Sequence, residues 1–179
     1  MPLTRIQSLG ITDGTIAAAD IASGAITAAK LASGVGGKVL QVVQGTQQTD
    51  VSSSSSTEVS TGLTASITPS SASNKILIHI VQQGLYINAA NNDITFNVWR
   101  HGNATNFSTG SNILGIEAYY GYTSATESKS NMVTTLLHSP STTSNTAFTL
   151  TFNRNRGSGT VQVNNNSAFS SITLMEIAA

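Results

Sequence analysis

Cysteine is absent from the 179 residues of this chain. Disulfide bonds, thiolate chemistry and cysteine-based zinc sites are therefore excluded. Charged residues make up only 9% of the sequence, and eight basic residues balance eight acidic ones. A neutral surface offers no electrostatic attraction to nucleic acid or to an anionic membrane. We therefore expect no nucleic-acid partner and no insertion into a membrane.

Long apolar runs are also missing, since no stretch approaches the roughly 18 residues of a membrane-spanning helix. The first residues, MPLTRIQSLGITDG, contain no apolar core of a secretory signal. Serine, threonine and asparagine supply the polarity instead, a composition that is common in extracellular fibres and shells. A composition of this extracellular type without a secretory signal favours a component of a particle that is assembled in a cytoplasm and released by lysis.

Catalytic and metal-binding motifs are not found either. The sequence has no GxSxG, P-loop or GxGxxG motif. His79, His101 and His138 lack metal-ligand spacing, so we expect them to be structural. A glycosidase needs two facing carboxylates about 5–9 Å apart, and the carboxylates here are scattered. We therefore expect a protein that is not an enzyme and that has no metal and no cofactor. The alternative is a glycan hydrolase whose carboxylates are distant in sequence and meet only in the folded chain.

The sequence does have a five-residue repeat at its start. Residues five apart on an α-helix are rotated by ~140°, so they form no single stripe, and on a strand they alternate between faces. The spacing predicts a repeating turn or coil, with two short alanine-rich helices at 15–22 and 25–32 as the alternative. The repeated aliphatic positions are Ile6, Ile11, Ile16, Ile21, Ile26 and Leu31.

These aliphatic residues define an N-terminal arm, residues 1–37. Six such side chains are too few to offset the entropy lost when about 30 residues become ordered. We therefore expect the arm to fold against other polypeptides, as a segment for attachment or oligomerisation, and its six aliphatic residues to make the contacts.

From residue 38 the pattern becomes that of short β-strands in a second domain, residues 38–179. Apolar and polar residues alternate, and no helical period occurs. We predict a polar loop at 52–56, a hairpin tip at 154–159, and a mainly β fold of the antiparallel β-sandwich or jelly-roll class. The predicted strands are 38–44, 60–69, 75–87, 93–102, 113–122, 131–140, 147–153, 160–163 and 170–179.

Two of these segments, 75–81 and 172–177, are apolar on both faces. A simple sandwich exposes one face of each sheet to water. The pattern therefore predicts a second buried face at a subunit interface, which a homotrimer would provide and a dimer would provide as well.

The arm sequence ITDGTIAAADIASGAITAAKLASG, followed by KVLQVVQ, resembles the N-terminal half of tail-fibre and appendage proteins of tailed bacteriophages, especially those of cyanobacteria and marine bacteria. GLTASITPSSASNKILIHI and SSITLMEIAA are similar to the C-terminal β-domains of the same proteins. The resemblance implies a virion structural protein, a short trimeric tail fibre. Its arm would bind baseplate, tail or capsid proteins, and its β-domain would face the host.

Two alternatives to this interpretation remain open. A capsid decoration, cement or head-fibre protein could have the same fold, with the arm lying across capsid subunits. The pentads ADIAS and AKLAS also resemble those of pentapeptide-repeat proteins, which form a four-sided coil.

Candidate contacts with a host surface glycan are mainly aromatic. Tyr119, Tyr120, Tyr122 and Trp99 offer flat apolar platforms with polar edges, on which sugars can stack. The alternative is that these rings fill the sandwich core or a subunit interface, where tyrosine and tryptophan are equally common.

Two arginines are further candidates for receptor contact. Arg154 and Arg156 stand in the predicted hairpin tip, and arginine forks bind oxyanions. The alternative is a solvated tip without a ligand.

Overall fold

A computed structural model of the protein describes residues 16–27, 30, 38–102, 106–120 and 127–179, without the side chains of residues 117–120. The chain divides into two units, Met1–Gly37 and Lys38–Ala179. No helix in the described part of the chain is long and apolar enough to cross a bilayer.

The described residues of the first unit form a series of tight turns. The backbone N–H groups of Asp20, Ala25 and Lys30 each donate to the carbonyl three residues earlier, at 2.9 Å. These turns therefore recur every five residues, in step with the repeat. Gly24 occupies one of them with a φ of 76°, which glycine adopts without a steric penalty.

The helical alternative for the arm is wrong where it can be compared. Residues 16–27 contain a single 3-10 turn, Ala18–Asp20, and no α-helix. Ile6, Ile11 and Leu31 lie outside the described residues, so their predicted contacts stay predictions.

The second unit consists, over its described residues, of strands in two antiparallel sheets. Sheet 1 has the order β1-β10-β4-β9-β2, with β7 also paired to β4, and sheet 2 has the order β3-β8-β5-β6. The strand bounds are β1 Val39–Gln47, β2 Val51–Ser53, β3 Val59–Ile67, β4 Lys75–Ile87, β5 Asp93–His101, β6 Ser111–Tyr120, β7 Ser128–His138, β8 Thr146–Arg154, β9 Val161–Val163 and β10 Ser170–Ile177.

Apart from β5 and β6, which pair with each other in sheet 2, consecutive long strands alternate between the two sheets, in the order of a jelly roll. In sheet 1, β10 and β7 lie on opposite edges of β4, and β1 lies outside β10. The short strands β2 and β9 extend sheet 1 beside the far end of β4. The predicted antiparallel sandwich is thus confirmed.

The core lies between the sheets and follows the alternation of each strand. The rings of Phe96 and Phe152, which pair across β5 and β8, are 6.3 Å apart between centroids. The apolar residues that alternate along β3, β5 and β8 are all buried: Leu63, Ala65, Ile67, Ile94, Phe96, Val98, Phe148, Leu150 and Phe152.

Two local predictions are wrong. Val51–Ser53, which overlaps the predicted polar loop, forms β2 and pairs with β9. The 154–159 segment is not a hairpin tip, because β8 pairs with β3 and β5 whereas β9 pairs with β2 and β4. It crosses instead from sheet 2 to sheet 1. The glycines and polar residues indicated a turn but not which strand the chain would join.

Candidate functional site

The outer face of sheet 2 positions Trp99, the predicted aromatic contact that the structure describes. Trp99 is half-buried, and its ring centroid lies 6.0 Å from that of Phe107. Its indole Nε1 donates to Oε2 of Glu58 at 2.7 Å. The ring is therefore held in one orientation by a carboxylate on one side and an aromatic contact on another.

Glu58 organises this face. Its carboxylate also accepts from Asn97 Nδ2 at 2.8 Å and from Thr151 Oγ1 at 2.7 Å. Asn97 Oδ1 in turn accepts from Asn112 Nδ2 at 2.7 Å. The result is a polar network across β8, β5 and β6, which fixes the groups around the indole before any ligand arrives.

Sequence reasoning missed Glu58 because it treated the carboxylates as scattered. Its three donors come from residues 39 to 93 positions later in the chain. The one available signal was that Asn97 and Trp99 alternate outward on a strand whose other face is apolar.

The structure describes the predicted tyrosines only in part. The backbones of Tyr119 and Tyr120 pair with those of Ile94 and Asp93 at the end of β6. Their side chains, and the whole of Tyr122, lie outside the described part of the structure. Their place beside Trp99 stays a prediction.

Arg154 and Arg156 both serve to hold the segment that connects the sheets. Arg154 Nη1 donates to the carbonyl of Gly159 at 2.7 Å. Arg156 Nε lies 3.8 Å from Oδ2 of Asp93, although 59% of its side chain is exposed. Asp93 begins β5 and Trp99 follows six residues later, about 20 Å along a strand. The structure therefore does not bring these arginines together with Trp99.

The outer face of sheet 1 carries an apolar row across four strands. Val42, Met175, Leu77 and Leu137 are successive partners in β1, β10, β4 and β7. At the two ends of this apolar row, Val42 is 57% exposed and Leu137 is 54% exposed. The predicted second apolar face of 75–81 therefore exists and faces outward.

The next row on this face is polar: Gln44, Thr173, His79 and Thr135 are successive partners. Apart from the histidine, none of these side chains can carry a charge. Gln44 Nε2 donates to Thr173 Oγ1 at 3.1 Å, and His79 Nδ1 lies 2.8 Å from Thr135 Oγ1. These side chains bond to one another within the sheet, so the polar row does not require water to satisfy those atoms.

The arm also presents apolar side chains. Ile16, Ile21 and Ile26 are 55%, 42% and 55% exposed. Each lies directly next to one of the turns that recur every five residues, so the repeat displays its aliphatic residues rather than enclosing them in the described copy.

The remaining histidines have partners inside the β-domain. His101 Nε2 lies 2.9 Å from Thr149 Oγ1. The His138 ring packs edge-on against Phe148 at 5.7 Å, and burial, then the charge of Arg100, lowers the pKa of His138. No three His, Asp or Glu side chains converge on a metal-sized site within the described ranges.

Glu176 is a buried carboxylate on the inward face of β10. It accepts from Gln41 Nε2 at 2.6 Å, Asn74 Nδ2 at 2.6 Å, and both the backbone N–H and Oγ of Ser70 at 2.7 and 2.8 Å. Burial alone would raise the pKa of Glu176, but these hydrogen bonds outweigh it and lower the pKa to about 2. The carboxylate thereby ties β1 and the 68–74 loop to β10.

Comparison with known proteins finds only distant structural likeness. No protein-family model and no curated protein matches the sequence. A mutant VP2 protein of infectious bursal disease virus in derived T=1 particles aligns with a TM-score of 0.38 and 11% identity, over 78% of this chain and 36% of that one. The Gt strain of the same virus aligns with a TM-score of 0.37 and 14% identity, over 78% and 38%. For the Gx strain the values are 0.37 and 15%, over 78% and 37%. The chain thus spans little more than a third of the length of those proteins.

Proposed function

We propose that this chain is a non-enzymatic structural component of a virion, a short trimeric tail fibre. Its arm attaches to baseplate, tail or capsid proteins, and its β-domain faces the host surface. The observation that carries the proposal is the apolar row on the outer face of sheet 1, which a solitary sandwich would leave in water.

The composition of that face is typical of a subunit contact. The apolar row, the polar row beside it, and the next row with Val81 and Val133 contain no Lys, Arg, Asp or Glu. Val133 is 63% exposed. Interface centres are depleted in charge, and contiguous apolar patches on monomers commonly mark interaction sites. Copies of the chain that meet through sheet 1 around a threefold axis bury this face.

The arm supports the same interpretation. Its turns, which recur every five residues, leave Ile16, Ile21 and Ile26 on the surface of the described copy. A ladder of exposed aliphatic residues gains free energy only when another polypeptide covers it. The sequence resemblance to phage appendage proteins supports a position of this segment at the particle end.

The outer face of sheet 2 favours recognition rather than catalysis. Three donors already occupy the Glu58 carboxylate, so its oxygens are engaged in holding the surrounding side chains. Trp99, held by that carboxylate, is suited to contact a host glycan through its ring.

Labelling the chain in intact particles tests this function. We expect antibodies against the β-domain to mark the tail, with a few to tens of copies per particle by quantitative mass spectrometry. Hundreds of copies spread over the shell would favour a capsid decoration protein instead. Absence of the chain from purified particles would contradict a virion role altogether.

A further inference from the structure

An open cleft of about 270 Å³ lies at the end of the sandwich that holds the last residues of β5. Its walls come from three parts of the chain: the end of β5, the start of β6, and the segment that precedes β8. Lining residues include Arg100, Ser111, Thr142, Ser144 and Asn145. This cleft is separate from the Glu58 network and from the apolar row.

Arg100 supplies the charge of the cleft. It is half-buried, and its Nη2 donates to the carbonyl of Pro140 at 2.7 Å. That bond orients the guanidinium while leaving its other N–H groups for a ligand. No carboxylate of the described residues lies within ion-pair distance of Arg100, in contrast to Arg156 with Asp93.

The rest of the lining determines the kind of anion. Among the described residues it consists of hydroxyls, an amide, glycine backbone and the His101 imidazole, which is buried and bonded to Thr149, with no large aliphatic side chain and no acid. Such walls offer little apolar surface to an acyl chain and no counter-charge to an ammonium group. They suit a ligand with many hydroxyl groups and one negative charge.

Size separates a sugar from a simple ion. A volume of about 270 Å³ is several times the ~30 Å³ that one water occupies in the liquid. Inorganic phosphate or sulfate would leave most of this space to water, whereas a single pyranose ring would fill much of it. The open side leaves room for the remainder of a glycan chain.

We propose that this cleft binds one acidic sugar unit, with its carboxylate on the Arg100 fork and its ring hydroxyls on the surrounding hydroxyl and amide groups. A planar guanidinium binds a carboxylate through two parallel hydrogen bonds. This proposal is independent of the proposed position of the chain in a virion.

Titration of the full-length chain with galacturonic acid tests this proposal. Saturation-transfer NMR and calorimetry detect the binding. We expect saturable binding that is at least tenfold tighter than that of galactose, which lacks the carboxylate. Inorganic phosphate is the second comparison. If phosphate binds as tightly as galacturonic acid, the cleft is a simple anion site and the sugar assignment is wrong. If galacturonic acid does not bind, the whole proposal is wrong.

Two variants locate the binding. Arg100→Gln should weaken it at least tenfold, whereas Arg156→Gln, which removes the same charge elsewhere, should leave it unchanged. Should Arg100→Gln prove unstable, Ser144→Trp fills the cleft from an exposed position with Arg100 intact, and should abolish binding. Unchanged binding in the cleft variants would overturn the assignment. The particle-labelling result would stand either way.

Discussion

A full-length chain that carries both Val42→Asp and Leu137→Asp is expected to sediment as a monomer at concentrations where we expect the unaltered chain to form the proposed trimer. The two residues end the apolar row on β1 and β7 and are more than half exposed in one copy. Burying an unpaired carboxylate against an apolar partner costs several kcal/mol. We therefore expect each subunit contact to weaken at least 100-fold, or about 2.7 kcal/mol. Analytical ultracentrifugation over a concentration series measures this.

The controls for this experiment separate assembly from folding. Because both side chains are exposed, the substitutions should change the free energy of unfolding of the monomeric domain by no more than about 1 kcal/mol, once dissociation is taken into account. Thr143→Asp places one of the same charges on an exposed loop residue and should leave the sedimentation coefficient unchanged. A double variant that assembles as tightly as the original would show that sheet 1 is not the contact.

Glu176→Ala is expected to produce the largest loss of stability of any single substitution considered. It removes the acceptor of four hydrogen bonds. Asn74 Nδ2, among other donors, then loses its carboxylate acceptor at a buried site. Each buried donor left unsatisfied costs about 1–3 kcal/mol. We expect the free energy of unfolding to fall by about 3 kcal/mol at pH 7, measured by chemical denaturation. Glu127→Ala, at an exposed carboxylate bonded to Tyr86, should cost far less.

The same carboxylate gives a pH dependence with a defined sign. The pKa of Glu176 is lowered to about 2 in the folded chain, from an ordinary 4.5. The unfolded chain therefore takes up this proton first, and the stabilisation is present above pH 4.5 and lost as the pH falls toward 2. The original chain should lose more stability over this range than Glu176→Ala. Parallel pH curves for the two proteins would contradict the assignment.

Alternation made much of the fold predictable. In β5, for example, Ile94, Phe96 and Val98 face the core because every second residue is apolar and the others are polar. The two-faced pattern of 75–81 likewise predicted an outward apolar surface. What the sequence could not supply was register: that Leu77 aligns with Met175 and Leu137 depends on pairings about 100 and 60 residues away, respectively.

The sites were less predictable, for a related reason. Trp99 was recognised by its residue type, but its partner Glu58 stands alone before β3 and meets it only through the sheet. Arg100 gave no signal, because its cleft combines segments that are distant in sequence. Arg154 and Arg156 gave a signal for oxyanion binding, yet in the fold they bond to the connecting segment and to Asp93.

Sedimentation equilibrium of the unaltered full-length chain at micromolar concentration tests the central claim most directly. Burial of the sheet 1 face among three copies predicts a single species with three times the 18.5 kDa mass of one chain. A mass of two chains would contradict the threefold arrangement. A lone 18.5 kDa species would mean that water, and not a second copy, covers Val42 and Leu137.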